Sequence, residues 1–471
     1  MKKGTNGREL LVELPPGRGG GRALEAGLRD AIRGGRLVSG AALPGSRALA
    51  ADLGVSRRLV VEVYEQLTAE GYLETTPRGA TRVAAWPVEK RALPEPVSVE
   101  SKKPRFEFRT GQPDLTFFPE RLFRRLLRDA LLGADRTLLG YGDPAGQPAL
   151  RGAIASYLGR VRGAVASRES VFAFSGMASA IAAWARWLAS RKVRRVALED
   201  PCSDGYLPFL AAEGLEVVPC PVDEDGIVVE ALEKLRVEAV LVTPAHQFPM
   251  GSVLAAPRRA ALLSWARARG AFILEDDYDA EYRYDREAVG CLQGLGPDRV
   301  FLAGTVSKTL APGLRLGWLV VPPKERAAMS ALRPGIDLGQ PGLEQEALRR
   351  LLDEGHYDRH VRRTRRLYKA RRDALVTALS SVGVTVRGAA AGLHLIADLP
   401  KGTNVPALVA GAATRGIGIT SLERYSYRKR PPALVIGYGA IAAHDVTEAF
   451  DGLVDVLAAF LRVPRRPRRR A

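Results

Sequence analysis

Cysteine and long apolar runs are both scarce in this chain. The three cysteines, Cys202, Cys220 and Cys291, are odd in number and show no CxxC spacing, which predicts neither a disulfide framework nor a zinc site. No apolar run approaches the roughly 18 residues needed to cross a bilayer, and residues 1–8 lack the long apolar segment of a secretory signal. We therefore expect a cytoplasmic protein with no membrane partner.

Length and charge limit the classes of protein to consider. At 471 residues the chain is too long for a single core, so two to four domains are expected. An apolar fraction of 46% is typical of globular proteins. The formal charge of +18 favours a polyanionic partner such as nucleic acid. Part of it lies in residues 462–471, interpreted as a disordered basic tail that contacts DNA non-specifically or is merely a solvated end.

Residues 1–83 are expected to form a small basic helical domain. Pro44 and Gly45 interrupt the chain, Ser46 is placed as the N-cap of a short helix, and Ser56 is placed as the N-cap of the next one. The apolar positions that predict the first and last helices are Leu24, Leu28 and Ile32, and Val60, Val63, Tyr64 and Leu67. Two short helices separated by a glycine turn are typical of a helix-turn-helix, although many helical hairpins share the pattern.

A wing and a cluster of arginines strengthen the DNA-binding interpretation. Residues 71–83 are typical of a two-stranded wing with residues 77–79 at its tip. The first residues of a recognition helix meet base edges, and a wing arginine can reach a phosphate or the minor groove. The candidate DNA-binding residues are Arg47, Ser56, Arg57, Arg58 and Arg78.

Residues 84–104 are proline-rich without a sustained period, which predicts a semi-extended linker. From residue 105 to residue 461, apolar runs alternate with helical patterns, which favours βαβ units and a mostly parallel sheet. Polar segments follow several of the runs directly, and ligands bind at that edge of such sheets. These segments are residues 199–201, 243–249 and 276–278, and Lys308.

Lys308 follows the apolar run Val300–Leu302 within a turn of small residues, and Arg315 comes seven positions later. A lysine with apolar neighbours is poorly hydrated, so its amine can lose its proton near neutral pH and form a Schiff base with an aldehyde. The alternative is an exposed loop lysine beside a solvated arginine.

An acidic segment, residues 275–281, follows the apolar run at residues 271–273. Alternation along the strand end puts Asp276 and Tyr278 on one side and Asp277 on the other. A carboxylate for a pyridinium nitrogen, a phenol for a ring hydroxyl, a lysine for an aldehyde and an arginine for a phosphate meet the needs of pyridoxal 5'-phosphate. A surface acidic loop is the alternative.

A phosphate site is also predicted at Gly176, Met177 and Ala178, between an apolar strand and a helix. A glycine turn at a helix N-terminus presents free N–H groups and the positive end of the helix dipole. An ordinary strand-to-helix turn has the same sequence pattern.

Asp276-x-Tyr278 and the segment Ser307-Lys308-Thr309-Leu310-Ala311-Pro312-Gly313-Leu314-Arg315 together resemble the cofactor site of fold type I aminotransferases. The similarity is greatest to the MocR/GabR-type regulators of the GntR family, in which a winged helix-turn-helix precedes a pyridoxal-phosphate domain. The resemblance implies an α/β fold with large and small subdomains, and a homodimer in which Tyr141 reaches the phosphate of the neighbouring subunit. Thr305 and Ser307 join the candidate cofactor-binding residues.

The chain departs from that family at several positions. Phe174 and Ala178 stand where relatives carry a hydroxyl residue and a glutamine, and Ser203, with Tyr206 slightly later, stands near the usual ring-stacking tyrosine. Residues 434–438 lack the arginine that binds a substrate carboxylate in many relatives, for which Arg424 or Arg430 would have to substitute. Backbone donors can still hold a phosphate, at the loss of hydrogen bonds of about 1 kcal/mol each.

Three functions follow from these expectations. The first is a regulator that binds operator DNA and senses a small amine, an amino acid or pyridoxal phosphate itself through Lys308. The second is an aminotransferase with an attached DNA-binding module, and the third is a degenerate sensor that uses the domain only to dimerise. The departures above weigh against turnover more than against the cofactor.

Overall fold

The structure is a computed structural model that describes residues 20–76, 80–85, 104–134, 136–285, 289–388 and 390–462. The chain divides into two compact units, Met1–Ser101 and Lys102–Ala471. Among the described residues, no helix combines the length and the apolar character that crossing a membrane requires.

The described residues of the first unit form three helices and a two-stranded sheet. Its elements are α1 (Gly20–Arg33), α2 (Ser46–Leu53), α3 (Arg57–Ala69), β1 (Leu73–Thr75) and β2 (Thr81–Val83). The apolar positions predicted from periodicity form its core, which includes Leu24, Leu28, Val60 and Leu67. The helical prediction for this unit is therefore confirmed.

Caps fix where α2 and α3 begin and end. Ser56 caps α3 as predicted, because its hydroxyl accepts a hydrogen bond from the Leu59 amide at 3.3 Å. Gly54 ends α2 in the left-handed conformation (φ 66°), which glycine adopts without strain. The prediction that Ser46 caps α2 is wrong: the helix begins at Ser46 itself, Gly45 occupies the cap position, and no side chain caps it.

The wing forms as an antiparallel pair in which Leu73 lies opposite Val83 and Thr75 lies opposite Thr81. Its predicted tip, with the DNA-contact candidate Arg78, lies outside the described residues, as do most of the predicted linker and residues 463–471 of the predicted tail.

The second unit is built on an eight-stranded sheet with the order β4-β11-β10-β9-β8-β5-β6-β7. The strands are β4 (Val171–Phe174), β5 (Arg195–Asp200), β6 (Glu216–Asp223), β7 (Gly226–Ile227), β8 (Ala239–Val242), β9 (Phe272–Asp277), β10 (Val300–Thr305) and β11 (Gly317–Val320). Strands β6, β5, β8, β9 and β10 pair in parallel. Strand β11 is antiparallel to both of its neighbours, so the sheet is mostly parallel, as predicted.

Helices cover both faces of this sheet, which explains why its strands are apolar at successive positions. Alternate residues pack into different cores: Leu241 and Leu274 lie on the side of Trp184 and Trp187, and Val240 and Ile273 lie on the other. The helices of the unit are α4 (Glu120–Leu132), α5 (Arg136–Leu139), α6 (Pro148–Arg162), α7 (Met177–Ser190), α8 (Leu207–Ala212), α9 (Val229–Lys234), α10 (Ala256–Arg269), α11 (Arg326–Leu332), α12 (Gly342–Asp353), α13 (His356–Ser380), α14 (Val405–Thr414) and α15 (Val446–Leu461).

A smaller antiparallel sheet, β12-β13-β16-β15, forms the predicted C-terminal subdomain. Its strands are β12 (Thr385–Arg387), β13 (His394–Asp398), β15 (Thr420–Ser421) and β16 (Ala433–Gly437). A further pair joins β3 (Phe106–Glu107) to β14 (Ile417–Gly418) in parallel. The chain therefore enters this unit through its C-terminal part before it builds the large sheet, a long-range pairing that periodicity did not predict.

Candidate functional site

A cavity of about 590 Å³ opens where several parallel strands end. The residues just after β5, at the end of β9 and just after β10 all line it, as expected for the carboxyl edge of an α/β sheet. Most of the residues predicted to bind a cofactor meet there: Met177, Ala178, Asp276, Tyr278, Thr305, Ser307, Lys308 and Arg315. These cofactor-binding candidates span 139 residues of the sequence, from Met177 to Arg315, and the fold brings them together around one cavity.

Lys308 extends into the cavity from the turn after β10. Its ammonium donates a hydrogen bond to the backbone carbonyl of Gly111. Burial lowers the pKa of Lys308, and the nearby carboxylates of Asp276 and Asp279 offset part of that effect. A lysine with a lowered pKa has a larger neutral fraction, which is the nucleophilic form of an amine.

Asp276 is a buried carboxyl with one oxygen in use and one free. Its Oδ2 accepts a hydrogen bond from the Tyr206 hydroxyl at 2.8 Å. Its Oδ1 is buried and has no hydrogen-bond partner among the described residues. Burial raises the pKa of Asp276 to about 7, and the hydrogen bond from Tyr206 works in the opposite direction. An unpaired buried carboxylate oxygen is costly unless a donor or a cation reaches it.

Tyr278 belongs to a polar chain beneath the cavity. Its hydroxyl lies 3.1 Å from Nδ1 of His246 and 3.2 Å from the His246 carbonyl oxygen. The same Nδ1 lies 3.0 Å from a carboxylate oxygen of Asp279. If Nδ1 carries the proton that bonds Asp279, the Tyr278 hydroxyl donates to the carbonyl and keeps its lone pairs free for a ligand. Neighbouring His394 is neutral, because burial lowers its pKa to about 3.

Arg315, the last residue of the segment Ser307–Arg315, lies beside the N-terminus of α7. Its guanidinium donates to the carbonyl of Ser175 at 2.6 Å. Gly176 has φ 81°, and a Cβ built there would lie 3.1 Å from the guanidinium. Glycine thus permits both the turn and the close approach of the arginine. Free amides at the start of α7 together with this guanidinium form a pocket suited to a phosphate.

The turn before Lys308 is held by its own hydroxyls. Thr305 Oγ1 lies 2.8 Å from Ser307 Oγ and bonds the carbonyl of Leu316 at 2.9 Å. The Ser307 amide donates to Thr305 Oγ1 at 3.1 Å. Both side chains are buried, so these hydroxyls fix the backbone from which Lys308 projects.

The alternation predicted for the acidic segment is confirmed. Asp276 and Tyr278 line the cavity, whereas Asp277 forms a buried ion pair with Arg162 at 2.8 Å on the other side of the strand. Glu275 also avoids the cavity and accepts the backbone amides of Leu292 and Gln293, both at 2.9 Å. The three successive carboxyls of Glu275, Asp276 and Asp277 therefore coexist because they face different partners.

Besides Arg315, two arginines line the cavity among the described residues, and each already has a carboxylate partner. Arg424 Nε bonds Asp204 at 2.8 Å, and Arg109 Nε bonds Glu107 at 2.7 Å. Arg430 instead lies beside Asp200 and does not line the cavity. Every residue of β16 is buried, and none is an arginine. The position that holds a substrate carboxylate in many relatives is therefore apolar here.

Tyr206 and His246 also contact the predicted site residues, although neither is among the residues predicted to bind the cofactor. Tyr206 was noted only as lying after Ser203, yet its hydroxyl is the partner of Asp276. His246 lies in a polar segment at a strand end, which is the signal that could have identified it. Tyr141 does not line the cavity of its own protomer and is 83% exposed, so its predicted contact with a partner remains a prediction.

The DNA-contact candidates that the structure describes all lie on the surface of the first unit. Arg47, Ser56, Arg57 and Arg58 are exposed around the start of α3. Arg57 Nε lies 3.4 Å from the Ser46 hydroxyl, and Arg58 pairs with Glu62 one turn later at 2.8 Å. The first turn of α3 thus presents two adjacent guanidinium groups, the arrangement that major-groove recognition uses.

Known proteins resemble each part of the chain. Residues 21–83 match the family model of bacterial regulatory proteins of the gntR family, and residues 108–426 match aminotransferase class I and II. A crystal structure of Pyrococcus horikoshii kynurenine aminotransferase, in complex with PMP, KYN and KYA, superposes with a TM-score of 0.69 at 25% identity. That superposition covers 76% of this chain and 92% of the enzyme.

Two curated regulators match nearly the whole chain. The probable rhizopine catabolism regulatory protein MocR of Rhizobium meliloti is 31% identical over 456 residues, which is 92% of each chain. The HTH-type pyridoxine biosynthesis transcriptional regulator PdxR of Corynebacterium glutamicum is 33% identical over 410 residues, covering 84% of this chain and 87% of PdxR. The likeness therefore extends across both units in the same order.

Proposed function

Because this chain belongs to the MocR-type branch of the gntR family of transcriptional regulators, we propose that its second unit binds pyridoxal 5'-phosphate and senses a small amine, an amino acid or the cofactor itself. The proposal rests on one observation above the others. A lysine with a lowered pKa and a buried carboxylate with a free oxygen line the same cavity.

The residues present fit the group. The unpartnered Oδ1 of Asp276 suits a pyridinium N–H, which would give this buried carboxylate oxygen of the cavity a partner. Arg315 with the amides after Gly176 suits the phosphate, and the Tyr278 hydroxyl suits the ring oxygen. When bound, pyridoxal phosphate supplies an electrophilic aldehyde that condenses reversibly with primary amines. Lys308 is the amine placed to meet it.

Sensing follows from competition for that aldehyde. With pyridoxal phosphate bound, an effector amine and the Lys308 amine would compete for the aldehyde, so an effector in the cavity would leave the lysine side chain free. If the protein prefers different conformations with Lys308 bound to the cofactor and with Lys308 free, an effector shifts the populations of these conformations by its differential affinity for them. The apolar strand β16 favours effectors that do not depend on a carboxylate-binding arginine at that position.

A homodimer completes the site in this proposal. Tyr141 is 83% exposed, and the nearby Leu131, Leu132 and Leu139 are 56%, 79% and 64% exposed. Large apolar side chains concentrated in one segment indicate a surface that another protein covers. A second copy that covers this segment would bring Tyr141 to the phosphate end of its neighbour's cavity.

DNA recognition is assigned to the first unit, with α3 in the major groove. Arg57 and Arg58 lie at the start of that helix, where side chains reach base edges or phosphates. Arg47 is exposed in α2 and is placed to contact the backbone. The operator DNA is the expected partner of this surface.

An aminotransferase remains the second candidate, supported by the same amine and carboxylate. The two candidates are separated by adding an amino donor with a keto acid: product formation would favour the enzyme, whereas bound cofactor without turnover favours the sensor. Titration of the protein with pyridoxal phosphate tests the shared step. We expect visible absorbance from the wild type and from Lys324→Ala, an exposed lysine control, and none from Lys308→Ala. Equal spectra for all three would mean that the domain does not use Lys308.

A further inference from the structure

Most of the excess positive charge of this regulator lies outside its DNA-binding unit. Residues 1–101 carry 15 Lys and Arg against 12 Asp and Glu, a net charge of +3. The remaining residues, 102–471, carry 55 against 40, a net charge of +15. A polyanion is attracted to the summed charge of the whole protein, and most of that charge lies outside the helix-turn-helix.

Much of the excess is concentrated on α13. Between Arg359 and Arg372 the helix contains eight basic residues and no acidic one. Its buried stripe runs through Tyr357, Val361, Thr364 and Tyr368. The opposite stripe is exposed and consists of Arg359, Arg362, Arg363, Arg366 and Lys369. At 1.5 Å per residue this stripe is about 15 Å long.

Within the described part of the chain, three of the five residues of the exposed stripe lack the carboxylate partners that a solvated helix face normally carries, whereas Lys369 pairs with Asp373 at 3.4 Å. No ion pair with any residue that the structure describes is formed by Arg362, Arg363 or Arg366. Arg366 follows Arg363 by three positions and Arg362 by four, so their side chains are neighbours on the helix surface. Like charges at that spacing repel. On α12, by contrast, neighbouring arginines are neutralised: Arg349 and Arg350 both pair with Glu346 at 2.7 Å.

We propose that this exposed stripe of α13 is a second DNA-contact surface, which binds the phosphate backbone of duplex DNA outside the bases read by α3. This inference rests on the assignment of the chain as a DNA-binding regulator. Arginine suits the role because its guanidinium bonds phosphate oxygens and is always charged. Contacts of this kind position a protein on DNA without reading sequence.

The test measures binding of the full chain to a labelled 40-bp duplex of mixed sequence, over a range of KCl concentrations. The triple variant Arg362→Ala/Arg363→Ala/Arg366→Ala removes three charges from the stripe. Arg236→Ala/Arg267→Ala/Arg269→Ala removes three exposed charges elsewhere in the same unit and is the matched control. Arg57→Ala/Arg58→Ala reports on the winged helix in the same assay.

Each phosphate contact contributes about 0.9 to the slope of log Kobs against log[KCl]. We expect the stripe variant to lower the slope by about 2.7 and the affinity at low salt by at least about tenfold, with the control triple close to wild type. The proposal is overturned if the stripe variant matches the control triple variant in salt slope and affinity. This holds even if the stripe variant alters transcription, since an effect on transcription without an effect on DNA binding would indicate a protein partner.

Failure of the proposed function would look different. If Arg57→Ala/Arg58→Ala binds like wild type, the assignment of α3 is wrong whatever the stripe does. Absorbance on adding pyridoxal phosphate, measured on the same samples, reports separately on the cavity and should be unchanged in the stripe variant.

Discussion

Asp276 is expected to destabilise the protein without its cofactor and to be required for binding it. Burial raises the pKa of Asp276 from 3.8 to about 7, so between these values the folded protein binds more protons than the unfolded chain. Stability therefore falls as the pH rises through this window. At 1.36 kcal/mol per pKa unit, the loss amounts to about 4 kcal/mol once the carboxyl is ionised.

Replacing Asp276 by asparagine removes this titration. The free energy of unfolding of the wild type, minus that of Asp276→Asn, should fall by about 4 kcal/mol between pH 4 and pH 8. The amide nitrogen replaces an oxygen that has no partner, which costs the variant about 1–3 kcal/mol at every pH. That cost shifts the plot of the difference in unfolding free energy against pH but does not change its slope. The variant should consequently be the less stable protein at pH 4 and gain on the wild type as the pH rises.

Glu199→Gln is the matched control for this experiment. Burial raises the pKa of Glu199 to about 7 as well, but Glu199 does not line the cavity. Both variants should show the pH-dependent difference in denaturant unfolding monitored through the second unit. Only Asp276→Asn should lose affinity for pyridoxal phosphate. A pH-independent stability difference for Asp276→Asn, or unchanged cofactor affinity, would refute the reasoning.

Three further results are expected. Gly176→Ala should weaken binding of pyridoxal phosphate about tenfold without the same effect on pyridoxal, because the φ of 81° at Gly176 and the guanidinium 3.1 Å away both disfavour a Cβ. Gly313→Ala is the control, since a Cβ at Gly313 would have nothing within 4 Å. Equal losses of affinity for pyridoxal phosphate and pyridoxal would argue against a phosphate site. Arg57→Ala should lower the salt slope of DNA binding by about 0.9, whereas Arg36→Ala, an exposed arginine of the same unit, should not; identical slopes would remove Arg57 from the contact. Tyr141→Ala should weaken cofactor binding in the dimer although the Tyr141 side chain is exposed in the protomer. Mixing this variant with Lys308→Ala should restore one complete site per heterodimer, and no recovery of cofactor binding on mixing would contradict the shared site.

The parts of the site that the sequence predicted are those encoded within a few residues of one strand end. The separation of Asp276 from Asp277 follows from the two-residue period of a strand, and Lys308 is identified by the apolar run that precedes it. Ser56 was recognised as a cap for the same reason, since a cap depends on the next three residues. The incorrect placement of Ser46 shows the limit of such local rules, because Gly45 occupies the cap position although it has no side chain to accept a hydrogen bond.

The parts that the sequence did not predict depend on partners distant along the chain. Tyr206 lies 70 residues from Asp276, and the Gly111 carbonyl lies 197 residues from Lys308. Phe106 and Ile417, which pair as neighbouring strand residues, lie 311 positions apart in the second unit. No periodicity records such contacts, since each joins segments that are distant in sequence and adjacent only in the fold. The charged stripe of α13 was visible as a basic run, but its lack of partners needed the fold.

The most direct test of the account is to incubate the protein with pyridoxal phosphate, reduce it with borohydride and map the modified residue by peptide mass spectrometry. The account predicts a single phosphopyridoxyl group on Lys308, lost in Lys308→Ala and retained in Lys324→Ala. Modification of a different lysine, or labelling that persists in Lys308→Ala at the same level, would contradict it.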